Sequence, residues 1–314
     1  MGIATLMIIV CHAPASGVAL PNVLGRILGL GNFGVDIFLF LSGLGCYYSL
    51  SKTTIWADYL KKRYVRIGIP FLLITLPYII LFLLLGEYSL RDAILSLTTL
   101  DYWIAHKGAW FVALLIPLYF LSPVIFKVLS GKKMSGGLVL MTVCIIWISN
   151  INADKLCCSN IISNIQFVLQ RVPSFLIGMA IGKLCKEDCD IKDSRLQIFA
   201  TGGVILYIVC YFQIRNIFTG WMVILPLILI LVKFLDYFPS LSNHLESIGK
   251  ISLESYLTNI YINHFLCVLI PSRIKHAIFY GRYLEYLIVI VLGLGIAFWV
   301  NRVSTRTIAS VTNA

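Results

Sequence analysis

Residues 1–12 read Met1-Gly2-Ile3-Ala4-Thr5-Leu6-Met7-Ile8-Ile9-Val10-Cys11-His12, and residues 34–45 read Gly34-Val35-Asp36-Ile37-Phe38-Leu39-Phe40-Leu41-Ser42-Gly43-Leu44-Gly45. Both runs are apolar, and each holds one ionisable side chain, His12 in the first and Asp36 in the second. An ionisable group inside an apolar membrane helix is costly, so its presence points to function.

The rest of the chain extends this pattern. Hydrophobic residues make up 59% of the 314 and charged residues 12%, where a soluble chain carries about a quarter charged. Apolar runs of about 17–22 residues recur, each long enough to cross a bilayer as a helix. A β-barrel would instead show short alternating segments. The expected fold is all-α: a polytopic transmembrane helical bundle of about ten spans, in one domain over residues 1–314. The spans are expected near 1–18, 32–50, 67–85, 109–129, 136–152, 165–182, 196–213, 217–235, 251–270 and 284–301.

A formal charge of +11 would suggest nucleic acid in a soluble protein, but no basic domain lies outside the apolar segments. Lys61, Lys62, Arg63, Arg66, Lys132, Lys133, Lys183, Lys186, Arg302 and Arg306 fall on one side of the expected topology. The positive-inside rule then places both termini in the cytoplasm of a plasma-membrane protein surrounded by lipid. Residues 1–15 lack a positively charged start and are not read as a cleaved signal. The first helix has only about 13 residues before Pro14, roughly 20 Å, against a hydrocarbon core of roughly 30 Å.

Cys11, Cys46, Cys144, Cys210 and Cys267 lie in apolar runs and read as packing residues. Cys157, Cys158, Cys185 and Cys189 fall in loops, and their pattern supports neither a disulfide framework nor a metal site. His106, His244, His264 and His276 are scattered and form no zinc motif. No metal and no permanently bound cofactor is expected. Residues 53–66, with Arg63 and Arg66 one turn apart, read as a basic interfacial helix. It serves either as a lipid anchor or as a clamp for a phosphate-rich ligand.

Several motifs in order resemble the integral-membrane acyltransferase 3 family over residues Gly2 to about Val300. They are Gly2-Ile3-Ala4 through His12-Ala13, the run Gly34–Gly43, and Arg63-Tyr64-Val65-Arg66 followed by Ile69-Pro70. Further along come Trp110-Phe111 with Tyr119–Pro123, Arg171–Gly178, and Gly249–Leu257. The resemblance implies a membrane O-acyltransferase that uses acyl-CoA, commonly acetyl-CoA, as donor. Its acceptor would be a glycan or another hydroxyl compound outside the cytoplasm. A separate extracytoplasmic partner protein could assist. It further implies His12 as general base on the acceptor hydroxyl. An antiparallel first hairpin would bring Asp36 to a depth similar to His12, where its carboxylate would orient the imidazole; a first-turn acid favoured by the helix dipole is the alternative. Arg63 and Arg66 would hold the donor phosphates.

Ser42, Trp110, Arg171, Glu254, Tyr256 and Asn259 are candidate cavity residues. For Arg171 and Glu254, pairing with each other is the alternative. Ser42-Gly43 is expected to pack helices closely rather than to supply a nucleophile.

The chain departs from the family pattern twice. Relatives carry Arg or Lys eleven residues before the His, which here is Met1. Eleven residues turn about 1100°, within about 20° of three full turns, so the pair would share a face about 16 Å apart. Either the start lies upstream of Met1 or this member is impaired. Many relatives also carry His where this chain has Asn259, a position expected to tune acceptor choice. The rival from another class is a transporter or flippase, whose inverted repeats and broken helices in matching positions are not seen in the sequence.

Overall fold

The computed structural model describes residues 1–18, 20–53, 55–131, 134–152, 158–187, 200–205, 207–208, 220–269 and 283–313. All regular structure among them is helical. The elements are α1 (Gly2–Ala15), α2 (Asn22–Gly29), α3 (Phe33–Leu50), α4 (Trp56–Leu84), α5 (Leu90–Leu97), α6 (Leu100–Ala105) and α7 (Trp110–Ser130). They continue with α8 (Met134–Ser149), α9 (Ser159–Leu169), α10 (Val172–Lys186), α11 (Ile224–Tyr237), α12 (Pro239–Lys250), α13 (Ser252–Leu269) and α14 (Tyr283–Asn313).

Five helical stretches among the described residues are long and apolar enough to cross a membrane by themselves: Asn22–Leu50, Trp56–Leu84, Trp110–Ser130, Ser159–Lys186 and Tyr283–Thr312. Gly2–Pro14 and Gly136–Ser149 are shorter apolar helices. Every expected span overlaps helical residues; of 196–213, only 200–205 and 207–208 are described, and these are helical. The protein is a multi-pass helical membrane protein. On α4, Leu72, Leu76, Ile80 and Leu84 recur every four residues and all face outward. On α7, Phe120, Val124 and Val128 do the same. Such stripes would be untenable against water and fit lipid.

The helices pack around α3. Its face at Asp36, Phe40 and Gly43 lies against α10. These residues are separated by four and three, so they share one stripe. A Cβ at Gly43 would collide with the Phe175 carbonyl, and one at Gly178 with the Phe40 carbonyl. The two backbones therefore touch, the close approach that small residues permit between membrane helices. Leu39, Phe175 and Met179 are fully buried in this seam. The other side of α1 rests on α12, with Gly2 against the Leu245 backbone.

Three local expectations change. Within the stretch 53–66, residues 56–66 are not a separate interfacial helix but the first turns of the 29-residue α4. No proline lies between Trp56 and Pro70, and both Pro70 and Pro77 are absorbed within the helix. Between the first two expected spans, where no helix was expected, Asn22–Gly29 forms α2, a helix with no buried residue. Val23 and Ile27 are exposed along it beside Arg26, the composition of an interfacial helix. Of the described cysteines, Cys46 is buried, whereas Cys144 and Cys267 face outward rather than into the core. Cys157, Cys189, Cys210 and His276 lie outside the described residues.

Candidate active site

A cavity of about 1230 Å³ runs between α1, α3, α4, α7 and α11–α14. Arg63 and Arg66 of α4 stand on its wall, as do Glu254 and the mutually paired Lys250 and Glu246. His12, Phe38, Trp110, Phe111 and Tyr256 line it as well. Along α1, His12 lies ten residues beyond Gly2, about 15 Å up the helix axis.

His12 is half-buried, and its Nδ1 lies 2.7 Å from the Ile8 carbonyl oxygen. A carbonyl can only accept, so Nδ1 carries the proton. In the neutral ring the lone pair then sits on Nε2, the nitrogen left to act as a base. This is an i to i−4 contact within α1, so the helix itself fixes the tautomer. A small chamber of about 20 Å³ adjoins His12, lined by Thr5, Ile8, Ser255, Asn259 and Ile260 among others. It has room for about one water molecule. Asn259 thus shares a chamber with His12, although eleven of the described helices, α2 to α12, separate them in sequence.

Asp36 has a different partner from the one expected. It is fully buried. Arg171 Nη1 donates to its Oδ2 at 2.8 Å, and Ser174 Oγ donates to its Oδ1 at 2.7 Å. Arg171 Nη2 also donates to Asn32 Oδ1 at 2.9 Å, and its guanidinium lies 5.8 Å from the Trp110 ring centroid. Both carboxylate oxygens are thus spent on α10, and the His12 ring is oriented by the Ile8 carbonyl instead. The cause is helical phase. Val35, Phe38, Ser42 and Gly45 line the cavity, and Asp36 sits about 100° around the helix from Val35. Arg171 is buried behind the cavity wall rather than lining it, and its ion-pair partner is Asp36, not Glu254.

The two arginines of α4 differ as well. Arg63 Nη2 donates to the Gly45 carbonyl at 2.6 Å. Its guanidinium lies 5.5 Å from the ring centroids of both Tyr59 and Tyr119. The Tyr59 hydroxyl is held 2.7 Å from Ser122 Oγ. Arg63 therefore ties α3, α4 and α7 together. Arg66 is exposed and lines the cavity, with no hydrogen bond or ion pair among the described residues.

Ser42, Trp110, Glu254 and Tyr256 line the cavity. The Tyr256 hydroxyl accepts from the Phe111 backbone N–H at 3.1 Å. Glu254 Oε1 accepts from Asn301 Nδ2 at 2.9 Å and from Ser304 Oγ at 3.3 Å. At the cavity mouth, Lys250 Nζ lies 2.8 Å from Glu246 Oε1. That contact holds the exposed Glu246 carboxyl below its ordinary range.

Residue reasoning alone did not find the Tyr59–Arg63–Tyr119 sandwich or the Asn301–Ser304 support for Glu254. The spacing of four between Tyr59 and Arg63 was a usable signal. Tyr119, Asn301 and Ser304 carried none, because they arrive from distant helices.

No curated protein and no solved structure matches the chain. Residues 2–302 match the acyltransferase 3 family, described as an acyltransferase domain. With nearly the whole helical bundle covered by that match, the chain belongs to the acyltransferase 3 family of membrane acyltransferases.

Proposed function

We propose that this protein is a plasma-membrane O-acetyltransferase with both termini in the cytoplasm. It moves an acetyl group from cytosolic acetyl-CoA to a hydroxyl of a surface or exported glycan. The donor enters beside the α4 arginines, and its phosphates meet Arg66 next to the anchored Arg63. The acceptor enters from the end that holds Trp110.

His12 Nε2 removes the acceptor hydroxyl proton as the oxygen attacks the thioester carbonyl carbon. The C–S bond then breaks, and the imidazolium returns its proton to the departing thiolate. The Ile8 carbonyl stabilises the imidazolium because its bond from Nδ1–H persists in both protonation states. No buried carboxylate is needed for that task.

The observation that carries this reading is His12 on the cavity wall with its proton fixed on Nδ1. The test uses purified protein, labelled acetyl-CoA and a panel of candidate glycans. Transfer should appear with the wild type and be lost in His12→Ala. Glycan movement across vesicles without acetylation would refute the proposal in favour of a transporter.

A further inference from the structure

Glu254 is the buried acid on the cavity wall that the proposed chemistry leaves without a task. It is 4% exposed, and its Oε1 is fixed by Asn301 and Ser304 of α14. Asn301 Nδ2 also donates to the Lys250 carbonyl at 3.1 Å, which fixes the amide that holds the carboxylate. Among the described residues no cation pairs with Glu254, since the nearby Lys250 ammonium is taken by Glu246. No buried side-chain oxygen or nitrogen in them lacks a hydrogen-bond partner. Among the described residues no hydrogen bond reaches Glu254 Oε2, and since none of their buried oxygens lacks a partner, Oε2 is accessible from the cavity that Glu254 lines.

A carboxylate held in this way, with one oxygen spent on neutral donors and the other facing a substrate cavity, is an acceptor awaiting a donor. It repels phosphate, so the anionic part of a ligand must sit away from it, at Arg66. What it suits is a neutral segment carrying N–H or O–H groups.

We propose that Glu254 is a donor-specificity residue that accepts a hydrogen bond from the amide- and hydroxyl-bearing pantetheine arm of the acyl-CoA. This rests on the acyl-CoA reading of the cavity. Arg66 and Glu254 then recognise different parts of one molecule: Arg66 the phosphates, Glu254 the neutral arm between them and the thioester. Asn301 and Ser304 are positioning residues that act through Glu254.

The test compares three acetyl donors on the full-length protein in detergent with a glycan acceptor that the wild type uses. The donors are acetyl-CoA, acetyl-pantetheine, which lacks the nucleotide and its phosphates, and ethyl thioacetate, which has no hydrogen-bond donor. Glu254→Ala should raise KM about 10- to 100-fold, the range of a lost charge-assisted hydrogen bond, for acetyl-CoA and for acetyl-pantetheine alike. It should leave ethyl thioacetate within about twofold, with kcat little changed for all three. Arg66→Ala should raise KM for acetyl-CoA alone. Glu254→Gln, which still presents an acceptor oxygen, should fall between wild type and Glu254→Ala.

Equal KM values for wild type and both Glu254 variants would overturn the inference. So would a Glu254 defect of the same size on ethyl thioacetate, which marks a structural role. If Glu254→Ala does not fold, Glu254→Gln decides by the same donor comparison. A wild type that uses none of the three donors refutes the acyl-CoA reading itself, a result visible without any Glu254 variant.

Discussion

Replacing Arg63 and Arg66 one at a time should separate two residues that the sequence presents as a pair. Arg63→Ala removes a charge-assisted hydrogen bond to the Gly45 carbonyl, worth about 1.5–3 kcal/mol. It also removes cation contacts to Tyr59 and Tyr119, each about 0.5–2 kcal/mol. The expected loss is about 3–5 kcal/mol, allowing for non-additivity within one cluster. Read as a midpoint, that is a fall of roughly 10 °C in thermal unfolding. Arg66→Ala removes no internal contact, so stability should stay within about 0.5 kcal/mol. What falls is donor affinity, by about 10- to 100-fold for a lost charge-assisted phosphate contact. The assays are thermal unfolding of the detergent-solubilised protein and equilibrium binding of acetyl-CoA, run on both variants. Arg63→Lys should recover little stability, because a lysine lacks the planar fork that fits between two rings. The reasoning is refuted if both variants lose equal stability, or if Arg63→Ala unfolds at the wild-type midpoint.

Two further outcomes follow from contacts away from the cavity. Asp36→Asn leaves Arg171 buried without its counter-charge and should destabilise by about 3–5 kcal/mol; a wild-type thermal midpoint would show that the pair does not hold α3 to α10. At the start of α5, Ser89 and Asp92 form a reciprocal cap, with Ser89 Oγ accepting from the Asp92 N–H and Asp92 Oδ2 accepting from the Ser89 N–H. Ser89→Ala should cost about 1 kcal/mol locally, read as faster amide exchange in α5 alone. The Ser89 bonds hold the Asp92 carboxyl below its ordinary range. Its contribution is therefore present above the unfolded carboxylate pKa and lost as pH falls through the lower folded value. Protection of the α5 amides, corrected for intrinsic exchange, should fall on acidification in the wild type and not in Asp92→Asn.

What could be read in the sequence followed from local chemistry. Apolar run length located the helices, because a membrane leaves no other way to satisfy the backbone. His12 stood out because ionisable groups are rare in such runs, and the Arg63/Arg66 pair because it sits one turn apart in a basic stretch. The division of labour between the arginines did not, since Tyr119 and Gly45 approach from other helices. The join of 53–66 to the third expected span was obscured by Pro70, a residue that breaks helices in water. Within a membrane bundle, neighbouring groups compensate for the missing bond.

Asp36 shows where such reading must turn to helical phase. Its depth near His12 suggested a triad, but depth is only one coordinate of a residue on a helix. Val35, Phe38, Ser42 and Gly45 mark the cavity stripe of α3, while Asp36, Phe40 and Gly43 mark the stripe against α10. The same eleven residues therefore build the reaction chamber on one side and its rigid backing on the other. Ser42 and Gly43, adjacent in sequence, fall on opposite duties for this reason. A buried ion pair is costly unless fully bonded, and Asp36 with Arg171, Ser174 and Asn32 meets that condition. The Arg171 guanidinium, 5.8 Å from the Trp110 ring centroid, links the α3–α10 seam to the cavity wall. A change at Asp36 should therefore reach activity through the position of Trp110, and leave the His12 tautomer, which depends only on α1, intact.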